Sequence, residues 1–220
     1  MIELIFALVI MGIVLMSAPM MISTAAKGTY IGMQQEGINE AASKINMILS
    51  YVWDEQNTDN EITPPLLYAK DGNDAFKKQG NGTRRGIPQR SSRTFYPDLN
   101  ASASLGLESG ESSTDIDDVD DYNGETITSL LSVESASTDY TENDTVSIST
   151  TIEYGDDGYT DGATYNFTPF VSSSKVTNVK NIKVELTSTD TANADVLEKK
   201  IVLQAFWCNI GGIKYAEKWF

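Results

Sequence analysis

The sequence predicts an α+β protein, with a long N-terminal α-helix packed against an antiparallel β-sheet head. Three observations predict it. Met1 to Ile22 form an almost unbroken apolar run. Apolar residues then recur at helical spacing as far as Trp53. From Thr126 onward, short stretches rich in β-branched and aromatic residues alternate with polar ones. The expected organisation is a helix over 1–54, a linker with charged loops of the head over 55–125, and the β-rich part of the head over 126–220.

The run MIELIFALVIMGIVLMSAPMMI carries one charge, Glu3. A helix rising about 1.5 Å per residue crosses the roughly 30 Å of bilayer hydrocarbon in about 20 residues, so this segment is long enough to span a membrane. A secretory signal peptide would instead show a basic leading region and a small-residue cleavage site. An acid inside hydrocarbon costs about 2.5–3.5 kcal/mol, so Glu3 implies a compensating partner, most simply an amine. Pro19 withholds the amide that would bond the Leu15 carbonyl, and Gly12 weakens the preceding turn. A kink or unwound stretch is therefore expected between them.

Beyond this segment, Ile31, Ile38, Ile45 and Val52 recur every seven residues, with Ala41, Ala42, Ile48 and Leu49 on the same side. Gln34, Glu36, Asn39, Glu40 and Lys44 fall mostly elsewhere, which makes the helix amphipathic. A continuous helix from Ile2 to about Asp54 would be roughly 80 Å long, a length used in filament cores and coiled-coil stalks. Pro64-Pro65 then marks the linker. Expected strands are Thr126 to Glu134, Thr145 to Tyr154, Thr164 to Val171, Asn181 to Ser188 and Lys199 to Cys208, with a hairpin turn around Gly155-Asp156-Asp157-Gly158 and Asp161-Gly162.

The segment MIELIFALVIMGIV resembles the mature N-terminus of type IV pilins and type II secretion pseudopilins. The likeness is strong as far as about Ala25 and rests on helical pattern alone from there to about Asp54. It implies a structural subunit that polymerises through its apolar helix into an extracellular filament for adhesion, motility, secretion or uptake. Glu3 would neutralise the α-amino group of a neighbouring subunit, and Gly12 and Pro19 would sit where the helix loosens. Its partners would be identical subunits, the bacterial inner membrane before assembly, the filament assembly machinery and a prepilin peptidase. The family's glutamate is fifth in the mature chain and here is third, so a leader and two mature residues are expected ahead of Met1. Archaeal filament proteins generally lack this glutamate, which favours a bacterial-type system. The phrase DIDDVDDYNGET resembles a turn in MSHA-type and other minor pilins. The family's C-terminal disulfide cannot form with Cys208 alone, and the head is large for a major pilin. Two alternatives stand beside this reading: a pseudopilin of a type II secretion system, and a monomeric membrane-anchored extracellular binding domain. Glu3 separates them, since a lone anchor has no use for it.

The chain has formal charge −15, from 31 acids against 16 bases, so it repels polyanions as a whole. With no histidine and a single cysteine it lacks the usual general base and zinc-ligand sets. No catalytic motif is present, and no cofactor is expected apart from calcium. Lys77, Lys78, Arg84, Arg85, Arg90 and Arg93 form a basic loop without one acid, and eight acids gather between Glu108 and Glu125 with no base. The two runs are expected to pair within or between heads, in preference to a DNA track along the bases. Asp117, Asp118, Asp120, Asp121 and Glu125 offer hard oxygen ligands suited to calcium, although their spacing is not that of an EF-hand and a solvated acidic turn is the plainer reading. Asp156, Asp157 and Asp161 form a weaker set. Asn100 begins a glycosylation triplet, with Asp98 two residues before it. Trp53, Trp207, Trp219, Phe206 and Phe220 read as core or interface aromatics in preference to a ligand cage.

Overall fold

The computed structural model describes residues 2–58, 64–80, 82–85, 87, 93–95, 98–132, 143–158, 167–188 and 200–212. Helix α1 runs from Ile2 to Ile48. It continues without interruption through Gly12 and Pro19, so the expected break is not a property of the isolated chain. The proline removes one hydrogen bond, and the bonds on either side carry the helix past it. The helix ends before the expected Asp54, because Ser50 and Tyr51 donate to Met47 and Ile48 in tighter turns. Val52 then leaves to pair in parallel with Asp118. Asp54 is extended and caps a 3₁₀ turn at Glu55–Asn57, its carboxylate accepting from the Gln56 amide.

Four strands follow: β1 (Thr126–Ser132), β2 (Asn143–Tyr154), β3 (Val179–Ser188) and β4 (Ile201–Cys208). They form one antiparallel sheet in sequence order, β1-β2-β3-β4. The expected strand at Thr164 to Val171 is absent over its described part, 167–171. Pro169 has no amide to give to a ladder, and Val171 donates to Thr168 in a turn. Around the expected hairpin turn, Gly155 bridges Ser172 antiparallel, with Asp156 donating to Val171 and Ser173 to Tyr154, while Asp161-Gly162 lie outside the described residues. A Cβ on Gly155 would collide with the Pro169 carbonyl. Gly155→Ala should therefore lower stability by about 1–3 kcal/mol in a urea melt, since backbone, unlike a flexible side chain, cannot give way cheaply.

Strand β2 buries alternate residues from Val146 to Tyr154, whereas β3 buries Val179 to Ile182 without a break before alternating. Val146, Ile148, Ile152 and Tyr154 of β2 are buried, as are Lys180, Ile182, Val184 and Leu186 of β3. A lysine thus occupies an inward position in a series of aliphatic residues.

The chain divides into two compact units. The first comprises Met1–Glu40, Thr128–Ser147 and Leu186–Ile201. In it Met33 is buried, whereas Ile31 is 66% exposed and Ile38 38% exposed. The second comprises Ala41–Ile127, Ile148–Glu185 and Val202–Phe220. Its core holds Trp53, Leu67, Ala101 and Tyr154, flanked by Leu99, Leu105, Val176 and Trp207. The end of α1 in this unit buries Ala41, Ile45 and Ile48 and also Lys44, which the helical pattern had placed mostly away from the apolar side. The lysine is accommodated because its ammonium lies 2.5 Å from Glu125 and 4.5 Å from the centre of the Tyr122 ring.

Candidate functional site

The N-terminal part of α1, Ile2–Ala25, has a mean hydropathy of 2.5 and none of its apolar window is buried. By length and composition it can cross a membrane. Glu3, Gly12 and Pro19 are all exposed on it. These 24 exposed residues would not stay in water as a bare apolar rod, so this surface requires lipid or protein around it.

In the second unit, the inward register of β3 carries the Lys180 ammonium to full burial. It donates to the Trp53 carbonyl at 2.7 Å, to Asp54 Oδ2 at 3.0 Å and to Asp120 Oδ1. The ammonium also sits 4.4 Å from the Trp53 ring centre and 5.9 Å from that of Tyr154. Asp54 is held from its other side by the Ser102 hydroxyl at 2.9 Å and the Ser102 amide. The Tyr154 hydroxyl donates to the Ser102 carbonyl. One ammonium thereby ties the segment after α1, the turn before β1 and the sheet together. The sequence carried a signal for it: Lys180 is in step with Ile182, Val184 and Leu186.

The five acids offered as calcium ligands take different partners in the structure. Asp120 goes to Lys180. Asp118 Oδ1 accepts from the amides of Asp120 and Asp121 at 2.8 and 3.1 Å, shaping a 3₁₀ turn at Asp120–Tyr122. Glu125 goes to Lys44. Asp117 and Asp121 instead gather with three acids outside the expected set. Ligand oxygens of Glu55, Glu111 and Asp117 lie within 4.8 Å of one another, and so do those of Glu108, Glu111 and Asp121. Burial, then the charges of Asp117 and Glu111, push the Glu55 carboxyl up to about 7. Burial and the neighbouring Glu111 push Glu108 up to about 8. Burial and Asp120 push Asp118 up to about 9, so it holds its proton at neutral pH. Of the weaker set, Asp157 accepts from the Asn73 and Asn178 amides and the Asn178 side chain. Asp156 accepts from Gly158 and Thr168, and Asp161 lies outside the described residues.

The basic loop is not a uniform surface track. Lys77 pairs with Asp74 at 2.5 Å and Lys78 with Asp98 at 2.5 Å. Arg84 is buried: it donates to the Phe76 carbonyl at 3.0 Å, to the Asn209 carbonyl and to Asn178 Oδ1, and it lies over the rings of Phe76 and Phe95. Burial lowers its pKa to about 10. Arg85 is exposed, Arg93 is half-buried, and Arg90 lies outside the described residues. A charge-reversal test of pairing between the loops must leave Arg84 intact, since Arg84→Glu would break this buried brace.

Asn100 is exposed, as glycosylation would need, and bridges Tyr68. Trp53 is core and donates its indole N–H to the Trp207 carbonyl at 3.3 Å. Phe206 meets Phe167 and Phe170 edge to face, while Trp219 and Phe220 lie outside the described residues. Cys208 is half-buried and burial pushes its thiol up. Its alkylation by iodoacetamide at pH 8 should be slow in the folded chain and fast in urea. With one cysteine in the chain, reducing agent should leave the monomer's melting temperature unchanged. No family model, curated protein or solved structure matches this chain.

Proposed function

We propose that this chain is a type IV pilin-like subunit, which polymerises through α1 into an extracellular filament and displays its β-rich head outside the cell. The carrying observation is the exposed apolar helix with one acid near its start. A lone membrane anchor gains nothing from Glu3, whose insertion costs about 2.5–3.5 kcal/mol, whereas a polymer can offer it the N-terminal amine of the next subunit. Exposure of Ile31 and Ile38, beyond the segment of membrane length, supports the same reading, because a packed filament core would cover them. Before assembly the subunit rests in the inner membrane. Assembly machinery and a prepilin peptidase then bring it into the polymer, and DNA is not its partner.

The test is to shear filaments from cells that express the chain, pellet them and identify the subunit by mass spectrometry and electron microscopy. Recovery of the chain as the repeating subunit of the polymer supports the proposal. Recovery only as detergent-soluble monomer from the membrane fraction would replace it with the anchored binding domain.

A further inference from the structure

We propose that the head holds a calcium ion at Glu111, ligated by carboxylates of Glu55, Glu108, Asp117 and Asp121. This site is independent of whether the chain polymerises. Two stretches far apart in sequence converge there: the 3₁₀ turn after α1 that carries Glu55, and the run from the loop at Glu108 and Glu111 to the acidic turn before β1. Glu111 belongs to both acid triads, so an ion beside it is within reach of either.

Proximity of acids alone would carry little weight, and the decisive feature is what their oxygens lack. Asp121 is 4% exposed; its Oδ2 accepts from the Asp117 and Asp118 amides at 3.0 and 3.4 Å, while its Oδ1 has no donor. Glu108 Oε2 and Glu55 Oε2 are likewise shielded from solvent without a donor. A buried carboxyl oxygen without a hydrogen bond is expensive, and Asp121 and Glu108, each with one, share a triad with Glu111. Nearby ammonium groups do not answer them, since Lys44 is engaged with Glu125 and Lys180 with Asp54 and Asp120. The backbone has already fixed the loop. Glu108 donates its amide to Glu111 Oε2 at 3.0 Å, and Glu111 donates back to the Glu108 carbonyl at 3.2 Å. The carboxylates are therefore held facing each other, where burial and mutual repulsion raise the Glu55 and Glu108 pKa values. A divalent cation removes that repulsion.

The donor set selects the ion. All five ligands are carboxylates and the chain has no histidine, which disfavours zinc and copper. Loops, not rigid elements, supply most of the oxygens. That suits calcium, which takes six to eight oxygens at about 2.3–2.6 Å in adaptable geometry, better than magnesium, which demands a small octahedron and retains its waters.

The full-length chain, solubilised in detergent and stripped with EDTA, should bind calcium chloride saturably in calorimetry, and its melting temperature should rise by several degrees with calcium. Glu111→Gln should weaken that binding by at least about tenfold. Because the substitution removes one of several repelling charges, the variant should fold at least as well without metal, as read by circular dichroism. Asp117→Asn, at an exposed ligand, should also weaken binding, while Glu153→Gln, at an exposed residue of β2, should bind as the parent does. Absence of saturable heat together with equal melting in calcium and EDTA would overturn the proposal. So would unchanged affinity in both Glu111→Gln and Asp117→Asn, or equal affinity for magnesium.

Discussion

Lys180→Met should lower the stability of the chain by about 3–5 kcal/mol, the usual consequence of stripping a buried charge of its partner. At this chain length that corresponds to about 6–20 °C in melting temperature. Methionine fills much of the lysine's volume, so the loss measures charge more than cavity. Asp54 and Asp120, both buried, would be left without the ammonium that joins them. Their remaining recourse is to take up protons, so the variant should recover stability as pH falls toward 4, where free carboxylates protonate. Thermal melts at pH 8 and pH 5 check both parts. A loss below about 1 kcal/mol at pH 8 would mean that Lys180 is not the tie described above.

Glu3→Ala should abolish or sharply reduce filament yield while leaving the monomer in the membrane, and Glu3→Gln should follow it. Removing the acid relieves the about 2.5–3.5 kcal/mol that its insertion costs, which favours the membrane-held monomer by about a hundredfold. The same substitution removes the partner proposed for the neighbouring amine, so both effects act against assembly. The measurement is pelletable filament against membrane-fraction monomer at equal expression. Undiminished filament yield from Glu3→Ala would sever the acid from assembly, and with it the main support for a polymer over a lone anchor. The head lies far along the chain from residue 3, so its melting temperature should not change, and the defect can be assigned to the helix.

By itself the sequence determined the long helix, its membrane-length apolar part and four of the five strands, because hydropathy and periodicity are carried by contiguous residues. The fifth strand failed over its described part where Pro169 and a local turn override β-propensity. The acidic run was visible as composition, yet which acids share a space was not. Asp118, Asp120 and Glu125 are drawn away by an adjacent turn, by Lys180 and by Lys44, while Glu55 comes in from the segment after α1 to join Glu111 and Asp117 of the run. Arg84 looked like one base among six until the fold buried it against Asn178 and Asn209. These outcomes belong to the tertiary structure because the partners are distant in the chain: Lys180 meets Trp53 across 127 positions and Asp120 across 60. A buried charge must be matched by whichever partner the packed sheet and loops bring to it, and local pattern holds no record of that choice.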